Sequence, residues 1–187
     1  MKILRYMLGL ALMISFISAD NPEKEETRAG EVEWISFEEA LKRNEEEPRK
    51  ILVDFYTDWC GWCKRMDRDV YSRAEISEYL NDNFYAVKFN AEKYKEDIEF
   101  HGHTFKYVPP PQGGRNGIHE LAYALMNKKA SYPMTVFIDE ELNPLQAIPG
   151  YQKAPFFDTI IKYIGGDKYK NTPWQDFQNS YDSPLGP

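Results

Sequence analysis

Cysteine is scarce in this chain. Two are present among 187 residues, Cys60 and Cys63, so the set of several disulfides that braces many small secreted domains is absent. The single intramolecular pairing open to them closes a four-residue loop, which constrains an unfolded chain very little. The pair is therefore better read as a reagent than as a brace. Histidine is nearly as rare. His101, His103 and His119 are the three in the chain, and none stands at finger-like spacing to the cysteines. A four-ligand structural zinc site lacks its ligands, and no metal is expected. Basic residues are outnumbered, 23 against 30 acidic, for a formal charge of −7 and an isoelectric point near 5.1. That balance makes nucleic acid and anionic membranes poor partners. Long hydrophobic runs are missing too. The longest, Tyr6 to Ile17, holds twelve residues, where a bilayer span needs about 20.

What is present begins with an export pattern. Lys2 and Arg5, the apolar run and the small pair Ser18-Ala19 read as a signal peptide over residues 1–19, giving a mature chain from about Asp20. An uncleaved anchor or a buried helix is the other reading of the same residues. No cysteine follows the run, so a lipid-anchored start is not indicated. The expectation is a periplasmic or otherwise extracytoplasmic protein with no stable membrane insertion after cleavage. Residues 20–33 are acidic and polar and read as a flexible lead-in. Apolar residues at 42% and aromatics at 15% suit one folded domain over about 34–166.

Ser36 followed by Glu39 forms a capping-box pattern and opens a helix through about Glu46. Ile51-Leu-Val-Asp-Phe-Tyr is a short apolar run of strand formers, read as a buried central strand. A helix is expected at or next to Cys60. Ser72 is read as the cap of a further helix ending near Asn81, and Phe84 to Phe89 as a second strand. Ile98, Phe100, Phe105 and Tyr107 alternate around His101-Gly102, which suggests a hairpin with a polar tip. Gly117 to about Lys129 reads as helical through Ile118, Leu121, Ala122 and Leu125. Met134–Ile138 and Leu145–Ile148 are expected strands, joined through Asn143-Pro144. Phe156, Phe157, Ile160, Ile161 and Ile164 form the stripe of a last core helix. Over 167–187, Thr172-Pro-Trp-Gln starts a short helix docked through Trp174 and Phe177. This order implies an α/β fold, a mixed central sheet covered by helices on both faces.

The chemistry concentrates in Asp58-Trp-Cys-Gly-Trp-Cys-Lys64. Helical positions i and i+3 share a face, which brings both sulfurs within disulfide reach. Cys60 falls at a helix start, where unpaired N–H groups and the macrodipole favour a thiolate. Cys60 is therefore the expected nucleophile, and Cys63, one turn inside, the buried resolving thiol. Trp59 and Trp62 read either as core or as an exposed docking rim beside the sulfurs. Asp54 lies inside the apolar run, where an acid is rare without a role; a solvent-facing strand position is the alternative. Lys88 reads equally well as a solvated strand lysine or a functional one.

A C-x-x-C that follows a strand and opens a helix is a thioredoxin-like signal. From Ile51 to Lys64 the chain resembles the active-site strand and helix of thioredoxins. Its WCGWCK variant resembles a bacterial, secreted thioredoxin-like subfamily, over about Trp34 to Ile164. The resemblance implies a thioredoxin-like fold with an insertion before the cis-proline loop, formed here by Tyr132-Pro133 and the strand Met-Thr-Val-Phe after it. It places Asp54 as the buried acid beneath the cysteines, Lys88 as that acid's neighbour and Pro133 facing the disulfide. It makes Trp59, Gly61, Trp62 and Tyr132 substrate-contacting positions. It implies a monomeric thiol–disulfide oxidoreductase without an organic cofactor, acting on protein thiols and disulfides. An upstream electron donor or acceptor protein would complete the cycle. Common thioredoxins carry proline where this chain has Trp62, and that position tunes redox poise. The expected activity is reduction of protein disulfides; oxidation or isomerisation is the alternative, and a metallochaperone or binding module on the same scaffold a further one. The segment of about Tyr94 to Asn116 exceeds the common plan. It is expected to overhang the cysteines and select substrates, or else to extend the sheet or cover its edge.

Overall fold

The computed structural model of the protein describes residues 30–186. The signal peptide expected over 1–19, and most of the lead-in after it, lie outside the described residues. The end of that lead-in is tied down instead of loose. Val32 is buried, the Glu33 N–H donates to Asn81 Oδ1 at 2.8 Å, and Asn81 Nδ2 donates to the Glu31 carbonyl at 3.0 Å.

Strand β1 (Trp34–Ile35) precedes helix α1 (Phe37–Glu46). Ser36 caps α1 by accepting from the Glu39 N–H at 3.1 Å. The box is half made, because the Glu39 carboxylate turns to Arg43 at 2.8 Å. Strand β2 (Lys50–Tyr56) leads into α2 (Gly61–Met66), which continues into a π-helical turn, Asp67–Tyr71. Helix α3 (Ala74–Asn83) and strand β3 (Phe84–Asn90) follow. Ser72 does not cap α3. Its hydroxyl donates back to the Arg68 carbonyl at 2.6 Å, closing the π turn, and Arg73 takes the cap position.

Strands β4 (Ile98–Phe100) and β5 (His103–Phe105) form the expected hairpin. His101 and Gly102 both have left-handed φ, 51° and 74°, the backbone that a two-residue hairpin turn needs. Strand β6 (Tyr107–Val108) pairs with β7 (Ile118–His119), and α4 (Glu120–Leu125) starts directly after it. The helix expected over 117–129 is thus about half as long. Gly117 passes so close to β6 that a Cβ there would lie 2.2 Å from the Val108 carbonyl oxygen. The start of the segment is therefore held extended by its ladder. At its other end the chain turns at Asn127 and Lys128, with φ of 55° and 60°.

Strands β8 (Met134–Ile138) and β9 (Pro144–Pro149), helix α5 (Ala154–Gly165) and helix α6 (Trp174–Ser180) complete the chain. The five-stranded sheet runs β1-β3-β2-β8-β9. The first three strands are parallel, and β8 and β9 are antiparallel to their neighbours. It is mixed and covered on both faces, as expected. Alternation along β2 splits the core. Ile51, Val53 and Phe55 face α1, α4 and the β4–β5 hairpin, while Leu52 faces α2, α3 and α5. Each such side chain stabilises the fold by about 1.5–3 kcal/mol. Phe156 departs from the expected stripe: it points outward and meets Trp174 edge-on at 5.9 Å. Trp174 and Phe177 dock the tail on Tyr163, as the tail sequence suggested.

Candidate active site

The parallel strands end on the side where the chain enters α2, so the Cys60–Cys63 pair lies at the C-terminal end of the central strand β2. Cys60 is the N-cap of α2, and its sulfur accepts from the Cys63 N–H at 3.0 Å. The two cysteines are joined as a disulfide, with Cα atoms 5.3 Å apart. Burial does not separate them, at 4% and 2% exposure. Position does: Cys60 stands at the helix start, while Cys63 sits a turn inside. The flanking positions are open. Trp59 is 63% exposed, Trp62 is 55% exposed, and a Cβ on Gly61 would meet nothing within 4 Å.

Beneath the helix, one row across the sheet collects polar residues. Parallel register sets Lys88 of β3 beside Asp54 of β2, and antiparallel register sets Thr135 of β8 on the other side. Asp54 is 1% exposed, and the Lys88 ammonium lies 2.6 Å from its Oδ2. Burial pushes the Asp54 carboxyl above its ordinary value, and the Lys88 charge offsets only part of that. The same ammonium is ion-paired with Asp67, from the π turn. Burial pulls Lys88 down, but the two carboxylates outweigh it and its value is raised. The rings of Trp34, Tyr56 and Tyr71 surround the ammonium at 4.8, 5.3 and 5.1 Å, a cation–π lining that suits a desolvated charge. Tyr71 is itself buried, with its hydroxyl 3.3 Å from Thr135 Oγ1.

Around the disulfide the surface is aromatic. Tyr132 precedes Pro133 through a cis peptide bond and meets Trp59 edge-on at 5.9 Å. Trp62 leans on Tyr151 at 5.5 Å, and the Arg65 guanidinium lies 5.3 Å from each of those rings. The Trp59 indole N–H donates to Glu92 Oε2 at 2.8 Å, which holds an exposed ring in one orientation. Asp58 accepts from Asn90 at 2.7 Å and pairs with Lys93, so its carboxyl is held below the usual range. Two clefts flank Tyr132. One, about 310 Å³, lies among Trp62, Pro133, Gly150 and Tyr151. The other, about 410 Å³, lies among Trp59, Glu92, Ile118 and Tyr123.

The structure brings all nine sequence-derived positions to one end of the sheet or the row beneath it. Trp59 and Trp62 are rim residues, not core, and Asp54 is buried, not solvent-facing. Tyr71, Asp67, Thr135, Glu92 and Tyr151 were missed. Asp67 stands four residues beyond Cys63, one helical turn, and that spacing is the one signal that points to it in the sequence. The others meet the site only through long-range packing. The segment of Tyr94 to Asn116 is divided. Ile98 and Phe100 are buried in the core, and Phe100 meets Phe37 at 5.3 Å. The hairpin tip runs away from the cysteines, where His101 Nε2 lies 2.9 Å from the Leu142 carbonyl at the far end of the sheet. It neither overhangs the disulfide nor extends the sheet. Asn116 and the residues after it do reach the cleft beside Trp59.

A family model described as a thioredoxin-like domain matches residues 37–165. The chain belongs to the thioredoxin-like family. Within it, the chain is similar to protein disulfide isomerase-like 5-2 of Oryza sativa subsp. japonica, 34% identical over 83% of this chain and 40% of that protein. It is also similar to the disulfide bond reductase DsbH of Chlamydia pneumoniae, 25% identical over 60% of each chain. It thus spans 40% and 60% of the length of these curated relatives, less than two thirds of either. A thioredoxin-fold protein from Helicobacter pylori shares the fold, with a TM-score of 0.53 at 21% identity over 71% of this chain and 79% of that one.

Proposed function

We propose that this thioredoxin-like protein is an extracytoplasmic thiol–disulfide oxidoreductase that reduces protein disulfides. The observation that carries the reading is the Cys60–Cys63 disulfide at the start of α2, with Cys60 as the cap. In the reduced protein the Cys60 thiolate attacks one sulfur of a target disulfide. A mixed disulfide forms and one target thiolate leaves. Cys63 loses its proton, attacks Sγ of Cys60 and expels the second target thiolate. Two electrons pass to the target, one proton comes from Cys63 and the other from solvent, and the Cys60–Cys63 disulfide is regenerated. A donor dithiol protein then restores the reduced state.

The helix start stabilises the attacking thiolate through the N–H that Cys60 Sγ accepts, and the macrodipole adds to it. Asp54, whose carboxyl burial holds above its ordinary range, is suited to take the Cys63 proton. Trp59, Trp62, Tyr132 and the open backbone at Gly61 give a target peptide an apolar platform around the sulfurs. The reductase direction draws support from the chlamydial relative's name, and the isomerase reading from that of the rice relative. Export draws support from the basic and apolar start of the chain. Among the described residues, no helix is long and apolar enough to cross a membrane.

The test is the reduction potential of the Cys60–Cys63 pair in a glutathione or dithiothreitol buffer. A value near about −270 mV supports the reductase, while one near about −120 mV makes the protein an oxidant.

A further inference from the structure

Among the described residues, Asp67 is the charged group of the turn after the cysteine helix that reaches the partner of the buried acid. Its N–H donates to the carbonyls of Cys63 and Lys64, so it stands one turn beyond the resolving thiol. Its carboxylate meets the ammonium that also meets Asp54. The other charges of the turn, Arg68 and Asp69, pair with each other at 2.8 Å, and Arg65 of α2 also pairs with Asp69 at 3.1 Å. The charged and polar groups that act on Asp54 are Lys88 from β3 and Tyr71 and Asp67 from the π turn, with Thr135 of β8 opposite it in register. Asp54 is sealed from water, while Asp67 is half exposed. Lys88 therefore bridges an acid in the interior and an acid at the surface.

We infer that Asp67 is a positioning residue that draws the Lys88 ammonium partly away from Asp54 and so keeps Asp54 basic enough to accept the Cys63 proton. This rests on the thiol–disulfide reading above and adds a residue to it. The electrostatics have one sign. With Asp67 neutral, the ammonium serves Asp54 alone, and a nearby negative charge is also lost. Both changes favour the Asp54 carboxylate and weaken it as a base. Asp67 acts through Lys88 and does not touch the sulfurs.

Carboxyl carbon NMR titration of Asp54 in the oxidised protein reads this directly, with wild type compared to Asp67→Asn and Asp67→Glu. In Asp67→Asn the Asp54 titration moves down by about one unit, a shift of the size one neighbouring charge produces. Asp67→Glu restores most of it. The acid limb of the pH profile for insulin-disulfide reduction moves the same way, with a plateau several-fold lower. An Asp54 titration at the same pH in wild type and Asp67→Asn overturns the inference, as does a shift that Asp67→Glu leaves uncorrected. The titration needs no turnover. A wild-type protein that fails to reduce insulin therefore overturns the proposed function and not the coupling of Asp67 to Asp54.

Discussion

Two lysines on adjacent strands of the sheet are each clamped by two carboxylates, at opposite ends. Lys50 opens β2 at the far end, 2.6 Å from Glu140 and 2.8 Å from Asp167. Lys88 lies toward the cysteine end, against Asp54 and Asp67. In the first clamp both acids reach water. Burial would raise Asp167, but Lys50 and Lys170 outweigh it and hold it below the usual range. In the second clamp one acid is sealed, and its value rises despite the same kind of partner. Ion pairing is alike at the two ends, and desolvation differs. The far clamp strengthens the fold, whereas the near one holds an acid in a state that costs stability and that the proposed proton transfer would use.

The largest expected effect breaks the symmetry outright. Cys60→Ser should abolish insulin-disulfide reduction while the fold persists, and Cys63→Ser should accumulate target adducts that dithiothreitol releases. Equal trapping by both variants, or alkylation of Cys63 before Cys60 in the reduced protein, would reverse the assigned roles.

Next in size is the far-end support. Replacing Tyr94 to Asn116 with a Gly-Ser linker should lower stability by about 3–5 kcal/mol, because Ile98 and Phe100 leave the core. Thermal unfolding checks this. An unchanged melting temperature would make the hairpin an appendage after all. Trimming the exposed loop 110–114 alone should leave the melting temperature in place.

Lys50→Met should cost less, about 1–2 kcal/mol, since its carboxylate partners can rehydrate once it is gone. Asp167 has a lowered value in the folded state, so its contribution is present above the ordinary carboxyl value of about 3.9 and is lost as pH falls through the folded one. Acid unfolding should therefore flatten in Lys50→Met. Urea midpoints that stay parallel to wild type between pH 2 and 5 would remove the clamp from the stability argument.

The smallest effect has the opposite sign. Asp54 has a raised folded value, so its contribution is complete below the ordinary carboxyl value and declines as pH rises through the folded one. Asp54→Asn should raise stability near neutral pH by about 0.5–1 kcal/mol. The gain is modest because the acid is already partly compensated by Lys88, which keeps Asp67 after the substitution. Turnover should fall several-fold between pH 6 and 8. A variant that is destabilised at pH 7, or whose kinetics are unchanged, would make Asp54 an ordinary member of an ion pair.

Legibility in the sequence followed the range of the forces involved. The β2–α2 unit was readable because burial on both faces, a helix start and the i, i+3 spacing of Cys60 and Cys63 are local facts. Helix α4 was read too long, because the ladder that holds Ile118 and His119 extended comes from Tyr107 and Val108, about ten positions away. Strand β1 was missed because two residues carry no periodicity. Ser72 has the residue type of a helix cap, but its hydroxyl turned to the π turn before it and not to the helix after it.

The sequence by itself determined that one cysteine pair would open a helix after a buried strand, and that an acid would lie inside that strand. Both follow from residue type and spacing along a few consecutive positions. Tertiary structure alone decided what that acid is. Sheet register put Lys88 and Thr135 beside Asp54, and the π turn brought Asp67 and Tyr71 over the same row. The charge on a buried carboxyl depends on how much water is excluded and on which opposite charges come within a few ångströms. Those distances exist only once strands far apart in the chain have paired.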